Sequence, residues 1–178
     1  MGDGLVAVYP GSFDPITRGH VDIINRAKRF FDKFTIAVAV NPRKRPFFSV
    51  EERVEMIKEV FADDPKIEVE AFKGLLVDYL AKKKAKIIIR GLRALSDFEY
   101  EFQMALTNRK LYADAETFFL MTSEPFVYLS AAMVKELARF GGDIECMVPP
   151  PVAKRLRQKA KELQEADPDK FEGSGFND

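Results

Sequence analysis

Five apolar residues, Leu5-Val6-Ala7-Val8-Tyr9, run up to Pro10-Gly11, and beyond Pro15 apolar residues recur at Val21, Ile24, Ala27 and Phe31. The first pattern has the length and β-branching of a buried strand, and the second has the spacing of an amphipathic helix. The stretch from Pro10 to His20 is therefore a strand-to-helix joint. Pro10, Gly11 and Pro15 prevent regular structure within it, and Gly19 permits a ligand or a neighbouring backbone to approach closely. Thr17 suits the N-cap, which puts the chain's one histidine, His20, in the first helical turn. The free N–H groups of that turn and the positive end of the helix dipole would face the space beyond the strand, a setting that favours an anion such as phosphate. A lone histidine is more often packed or solvated than catalytic. His20, however, lies off the apolar stripe and follows a loop at the carboxyl end of a strand, where open α/β sheets bind ligands. Neither G-x-x-x-x-G-K-[ST] nor G-x-G-x-x-G occurs, so a different device must handle the phosphate.

Strand and helix signals alternate along the rest of the chain. Phe34 to Val40 is a nearly unbroken apolar run, as expected of a parallel strand covered on both faces, and it ends at Asn41-Pro42. Ser49-Val50-Glu51-Glu52 has the form of a capping box and opens a helix with Val50, Val54, Ile57 and Phe61 on one face. Ile67 to Ala71 alternates with period two, a helix around Leu75 to Lys82 follows, and Ala85 to Ile89 reads as another buried strand. That last strand runs straight into Arg90-Gly91-Leu92-Arg93. A guanidinium at the end of a central strand is poorly explained by packing, because burying it unpaired is costly, whereas its fork of donors matches phosphate oxygens. Ser96-Asp97-Phe98-Glu99 is a second capping box, before a helix whose apolar face is Phe98, Phe102, Ala105 and Leu106. Tyr100 and Met104 add more apolar surface than one core-facing stripe needs, which points to a subunit contact. Thr117 to Thr122 reads as the last strand, and Ser130 as the cap of the helix after it. Val148-Pro149-Pro150-Pro151 reads as a stiff connector to a basic amphipathic helix docked by Val152, Leu156 and Leu163.

These signals predict an α/β fold: a single Rossmann-like domain with a five-stranded parallel sheet and helices on both faces. The 178 residues suit one domain, spanning 1–166, with a flexible polar tail at 167–178. Lys+Arg and Asp+Glu both number 28, so no global positive field argues for nucleic acid and a small molecule is the expected partner. The single cysteine, Cys146, excludes an internal disulfide, and the N-terminus has no signal-type segment, so a cytoplasmic location is expected. No stretch approaches the ~20 apolar residues of a membrane-spanning helix, and no membrane partner is expected.

Ser12-Phe13-Asp14-Pro15 with Thr17-Arg18-Gly19-His20 resembles the (H/T)-x-G-H signature of the nucleotidyltransferase superfamily. Asn41-Pro42-Arg43-Lys44-Arg45-Pro46, and above all Ile89 to Glu101, narrow the resemblance to the bacterial phosphopantetheine adenylyltransferase family, in register from about Val6 to Lys154. The resemblance implies transfer of AMP from ATP to 4′-phosphopantetheine, giving dephospho-coenzyme A and pyrophosphate. It also implies His20, Lys44 and Arg93 as catalytic residues. For ATP it implies Ser12, Phe13, His20, Gly91, Leu92, Arg93, Glu101 and the run Phe126, Val127, Tyr128, Leu129, Ser130, Ala131, Ala132. For the acceptor it implies Ser12, Lys44, Leu76 and Arg90. Mg²⁺ is expected on the ATP phosphates with no dedicated protein ligands, coenzyme A is a further candidate ligand, and a homohexamer is expected. The chain departs from the family's hydroxyl-rich pattern at Leu129-Ser130-Ala131-Ala132. Each missing hydroxyl hydrogen bond is worth about 0.5–1.5 kcal/mol, so weaker ATP binding is expected rather than lost chemistry. Two alternatives stay open: a sister enzyme adenylating nicotinamide mononucleotide or using CTP, and a non-catalytic coenzyme A or nucleotide binder.

Overall fold

The computed structural model describes residues 4–40, 46–93 and 95–166, with backbone alone at 95–97 and 166. Five strands alternate with helices: β1 Val6–Gly11, α1 Arg18–Ala27, β2 Lys33–Val40, α2 Val50–Val60, β3 Ile67–Lys73, α3 Leu76–Lys83, β4 Ile87–Leu92, α4 Leu95–Leu111, β5 Glu116–Met121, α5 Ala131–Arg139 and α6 Pro150–Ala166. All strand pairings are parallel and the order is β3-β2-β1-β4-β5. The alternating sequence dictates this arrangement, because each helix returns the chain to the same end of the sheet. Strand pleating sends successive side chains to opposite faces. Ala7, Tyr9, Phe34, Ile36, Val38 and Ile89 enter one core with α1, α2, α5 and α6, while Val8, Ala37 and Ile88 enter a second with Tyr79 and Leu80 of α3.

Strand order reverses between β1 and β4, so the crevice at their carboxyl ends is the place where sheets of this type bind ligands. The two strands pair at Ala7–Ile87 and Val8–Ile88. Beyond that point Arg90 donates from Nη1 to the Pro10 carbonyl at 2.8 Å, so a side chain takes over where the ladder ends. Gly91 allows the crossing with α1. A Cβ there would come within 3.1 Å of Ile23 Cγ1 and 3.2 Å of the Tyr9 hydroxyl.

Two expectations are corrected. The prolines form no connector: Pro150 and Pro151 open α6, with the Pro149 carbonyl accepting from Val152 and Ala153, because a residue without an N–H fits a helix start where none is needed. Val152 and Leu156 are fully buried there, and Arg155 and Lys159 pair with Glu55, Glu59 and Glu52 of α2, which neutralises much of the helix's basic face within the fold. The second correction concerns α4. Phe98, Phe102 and Leu106 were expected toward the core, yet they are exposed with Tyr100, Met104 and Leu111, on the side of the edge strand β5 that carries Phe119 and Met121. The helix is apolar around most of its girth, so periodicity could not choose the face, and the buried positions near it went to Asn108 and Ala115. The Ser96 cap, the segment 41–45 and the tail 167–178 lie outside the described residues or side chains. Among the described residues no helix is long and apolar enough to cross a membrane.

Candidate active site

A cavity of about 450 Å³ opens at the crevice, walled by Pro10 to Asp14 at the end of β1, His20 and Ile23 of α1, Arg90, Gly91 and Arg93 at the end of β4, and Ser130 to Ala132 with Lys135 at the start of α5. Two helix starts therefore contribute to it. Thr17 caps α1 and Ser130 caps α5, the latter accepting from the Met133 N–H at 3.1 Å. At α1 the Arg18 N–H goes to the Met147 carbonyl and that of His20 to Thr17, so among the described residues the Gly19 N–H is left for the cavity, whereas α5 offers those of Ala131 and Ala132.

The histidine is held by an unusual capping box. Thr17 Oγ1 accepts from the His20 N–H at 3.4 Å, and His20 Nδ1 accepts from the Thr17 N–H at 3.0 Å. An accepting Nδ1 carries no proton, so in the neutral ring the proton sits on Nε2. Burial first, and the Arg93 guanidinium second, lower the imidazole from 6.5 to about 4. At neutral pH the ring is thus an uncharged donor. Phe13 and Tyr9 fix its plane, with ring centroids 5.2 Å and 6.5 Å away. Burial also raises the Tyr9 hydroxyl far above its usual range, with Arg90 opposing and Glu101 reinforcing the shift, so Tyr9 stays protonated.

A second cavity of about 260 Å³ lies alongside, lined by Phe72, Leu76, Ile88, Met104, Ala105 and Asn108 among others. The two share Pro10, Gly11, Ser12, Arg90 and Glu101. Arg90 is the partition: its Nε meets Glu101 Oε2 at 2.5 Å, its Nη2 meets Oε1, and its Nη1 meets the Pro10 carbonyl. A guanidinium has five N–H donors, so one on each Nη remains for a ligand at the junction.

Comparison with known proteins places this geometry. The cytidylyltransferase-like family model matches residues 8–137, covering both helix starts and both arginines. The phosphopantetheine adenylyltransferase of Caldanaerobacter subterraneus subsp. tengcongensis is 58% identical over 156 residues, 88% of this chain and 98% of that protein. That of Thiobacillus denitrificans is 56% identical over 158 residues, covering 89% and 99%. The chain belongs to the phosphopantetheine adenylyltransferase family. Its fold is also that of a more distant solved structure, a putative nicotinate-nucleotide adenylyltransferase from Vibrio parahaemolyticus. The match has a TM-score of 0.70 at 14% identity, covering 89% of this chain and 94% of that one.

Of the residues that the family resemblance suggested, the structure brings Ser12, Phe13, His20, Arg90, Gly91, Arg93, Glu101, Leu129, Ser130, Ala131 and Ala132 to the first cavity, and Leu76 to the second. Leu92 is buried behind it, and Phe126, Val127 and Tyr128 form a turn outside the lining, with Phe126 packed 3.5 Å from where a Gly19 Cβ would lie. Lys44 lies outside the described residues. Arg93 donates to the Leu129 carbonyl at 3.0 Å, tying the end of β4 to the start of α5.

Three polar residues went unread in the sequence. Asp14 accepts from the Phe47 and Phe48 N–H groups at 2.9 Å each and from Lys135 Nζ at 3.0 Å. Lys135 is four residues beyond Ala131 and so shares its cavity-facing side, a spacing that could have flagged it. Arg53 is 4% exposed and had its own signal, because it falls between Val50 and Ile57 on the apolar face of α2, where a charge needs a reason.

Proposed function

We propose that the chain transfers AMP from ATP to the phosphate of 4′-phosphopantetheine, releasing pyrophosphate and dephospho-coenzyme A. The observation that carries this reading is the pair of joined cavities: one of mixed polarity walled by helix starts, a more apolar one beside it, and Arg90 between them. A nucleotide triphosphate suits the first, a pantetheine arm the second, and the acceptor phosphate then meets Arg90 at the point of reaction.

The chemistry asks for positioning and charge rather than a protein base. A phosphate monoester has its second pKa near ~6, so the acceptor is largely dianionic at neutral pH and already nucleophilic. Attack on the α-phosphate in line with the leaving pyrophosphate adds charge to the oxygens of that phosphate. The neutral His20 Nε2–H can donate there, and Arg93, Lys135 and the N–H groups of α5 face the leaving end. Mg²⁺ would ride on the triphosphate. The described carboxylates of the cavity, Asp14 and Glu101, are each engaged by a cation, so the donor set fits an anion carrying its own metal. The exposed face of α4 and β5 fits a contact between copies, and a homohexamer working in the cytoplasm is the assembly we favour.

The test supplies ATP and Mg²⁺ with 4′-phosphopantetheine, nicotinate mononucleotide or nicotinamide mononucleotide in parallel, repeats the series with CTP, and follows pyrophosphate. Release with ATP and phosphopantetheine alone is expected. Equal turnover of another acceptor, or tight ligand binding without turnover, overturns the reading.

A further inference from the structure

Among the described residues Arg53 is the one buried arginine, and no ion pair neutralises it there. Its acceptors are main-chain carbonyls: Ser12 at 2.7 Å and Ala39 at 3.5 Å from Nη1, and Ser49 at 3.2 Å from Nε. Withdrawing an unneutralised guanidinium from water is costly, so what it holds must matter to the fold or to the site. What it holds most closely is the turn after β1. The next residue, Phe13, has φ +45°, a conformation that residues with side chains rarely adopt.

The geometry of the peptide unit supplies the link to function. A trans peptide is planar, and its C=O and N–H point in opposite directions. Arg53 takes the Ser12 carbonyl from behind, since Arg53 itself does not line the cavity whereas Ser12, Phe13 and Asp14 do. The N–H of the same unit, that of Phe13, is thereby turned to the opposite side, and no acceptor among the described residues takes it. We propose that Arg53 is a positioning residue which, by holding the Ser12 carbonyl, fixes the Ser12–Phe13 peptide so that the Phe13 N–H is aimed at a phosphate of the nucleotide. Without this hold the peptide can rotate, relieving the positive φ of Phe13. Rotation would put a carbonyl oxygen, which repels phosphate, where the donor had been. The loss is then larger than that of one hydrogen bond.

The inference rests on the adenylyltransferase reading only in naming the anion a nucleotide phosphate. Pyrophosphate is therefore the probe, because its binding does not involve the acceptor. Isothermal titration would compare the full-length wild type with Arg53→Met, which keeps the bulk but no donor, and Arg53→Lys, which keeps a donor and the charge. Arg53→Met is expected to weaken pyrophosphate at least about tenfold, and Arg53→Lys no more than about threefold. In wild type and Arg53→Lys labelled with ¹⁵N-phenylalanine, the Phe13 amide proton should move downfield when pyrophosphate is added. The proposal is overturned by Arg53→Met binding within about twofold of wild type, by both variants weakening alike, or by a Phe13 amide that ignores pyrophosphate. Should Arg53→Met fail to fold, the amide shift and the Lys variant still decide. Pyrophosphate binding with no turnover of phosphopantetheine would sink the functional reading and leave this one standing.

Discussion

Replacing His20 with Gln separates the imidazole's charge from its structural task. Gln at the third helical position can still accept from the Thr17 N–H, so the capping box survives while the titrating ring is lost. In the unfolded chain the ring protonates around 6.5, and in the folded protein only around 4. Between those values the unfolded state binds the extra proton, so the part of the stability linked to His20 is full above pH 6.5 and is lost as the pH drops toward 4. At 1.36 kcal/mol per pH unit, the gap amounts to about 3 kcal/mol. That is an upper figure, because the edge of the ring opens on a cavity that admits water. Urea unfolding of both proteins at one fixed concentration, from about pH 4.5 to about 7.5, measures it. The carboxylates titrate in both and cancel in the difference. The His20→Gln protein should lose distinctly less stability across this range, and two curves that stay parallel would refute the account of His20 as a half-buried neutral donor. Kinetics give a second reading of the same claim. An acid limb near ~6 in kcat/KM belongs to the acceptor phosphate, so it should persist in His20→Gln while the rate falls about 10²–10³-fold at every pH.

Arg90→Ala leaves the Glu101 carboxylate, only 15% exposed, without its bidentate partner. It should cost about 1–3 kcal/mol in urea unfolding and raise the KM for phosphopantetheine, whereas adding Glu101→Ala should restore much of the stability but not the KM. Restoring hydroxyls with Ala131→Ser and Ala132→Ser should lower the KM for ATP by about 2- to 10-fold per productive hydrogen bond, with kcat little changed, as initial rates would show. Phe102→Ser with Leu106→Ser on α4 should reduce the mass seen by light scattering toward the 20.3 kDa of a single chain, and an unchanged mass would remove that face from the assembly.

Where local pattern alone decided the structure, the sequence could be read directly. Thr17, Ser49 and Ser130 cap their helices as their spacing indicates, and the expected strands formed within three residues of the expected ends. The ends of β1 and β4 were legible as a site for the same reason, since arginine and glycine directly after a buried strand serve packing poorly and anion binding well. What stayed hidden depended on partners distant in sequence. Asp14 finds Lys135 at a separation of 121 residues, and Arg53 reaches back 41 residues to Ser12. Periodicity reports the face of a helix and not what that face meets, so Arg53 could be placed on the buried side of α2 but not joined to the turn that it holds. The apolar girth of α4 failed in the opposite sense, offering several faces where the fold could bury only one.

The charges explain why the site can be built at all without its ligands. An array of bare cations dense enough for two polyanions would repel itself in a half-buried cleft. Here Lys135 faces Asp14 and Arg90 faces Glu101, so two of the cations are balanced within the protein. Beside the cation Arg93, the remaining described donors of the cavity add little or no formal charge: the neutral His20 ring and the N–H groups of Gly19, Ala131 and Ala132 at the starts of α1 and α5. Fixed dipoles of this kind stabilise developing negative charge without having to reorganise, and they cost less than ions when the site stands empty. A cleft balanced in this way can take a triphosphate and a phosphate monoester together, provided each arriving anion draws on donors that its neighbouring carboxylate has not already taken. This makes the two uncommitted N–H groups of Arg90, rather than its formal charge, the feature on which acceptor binding turns.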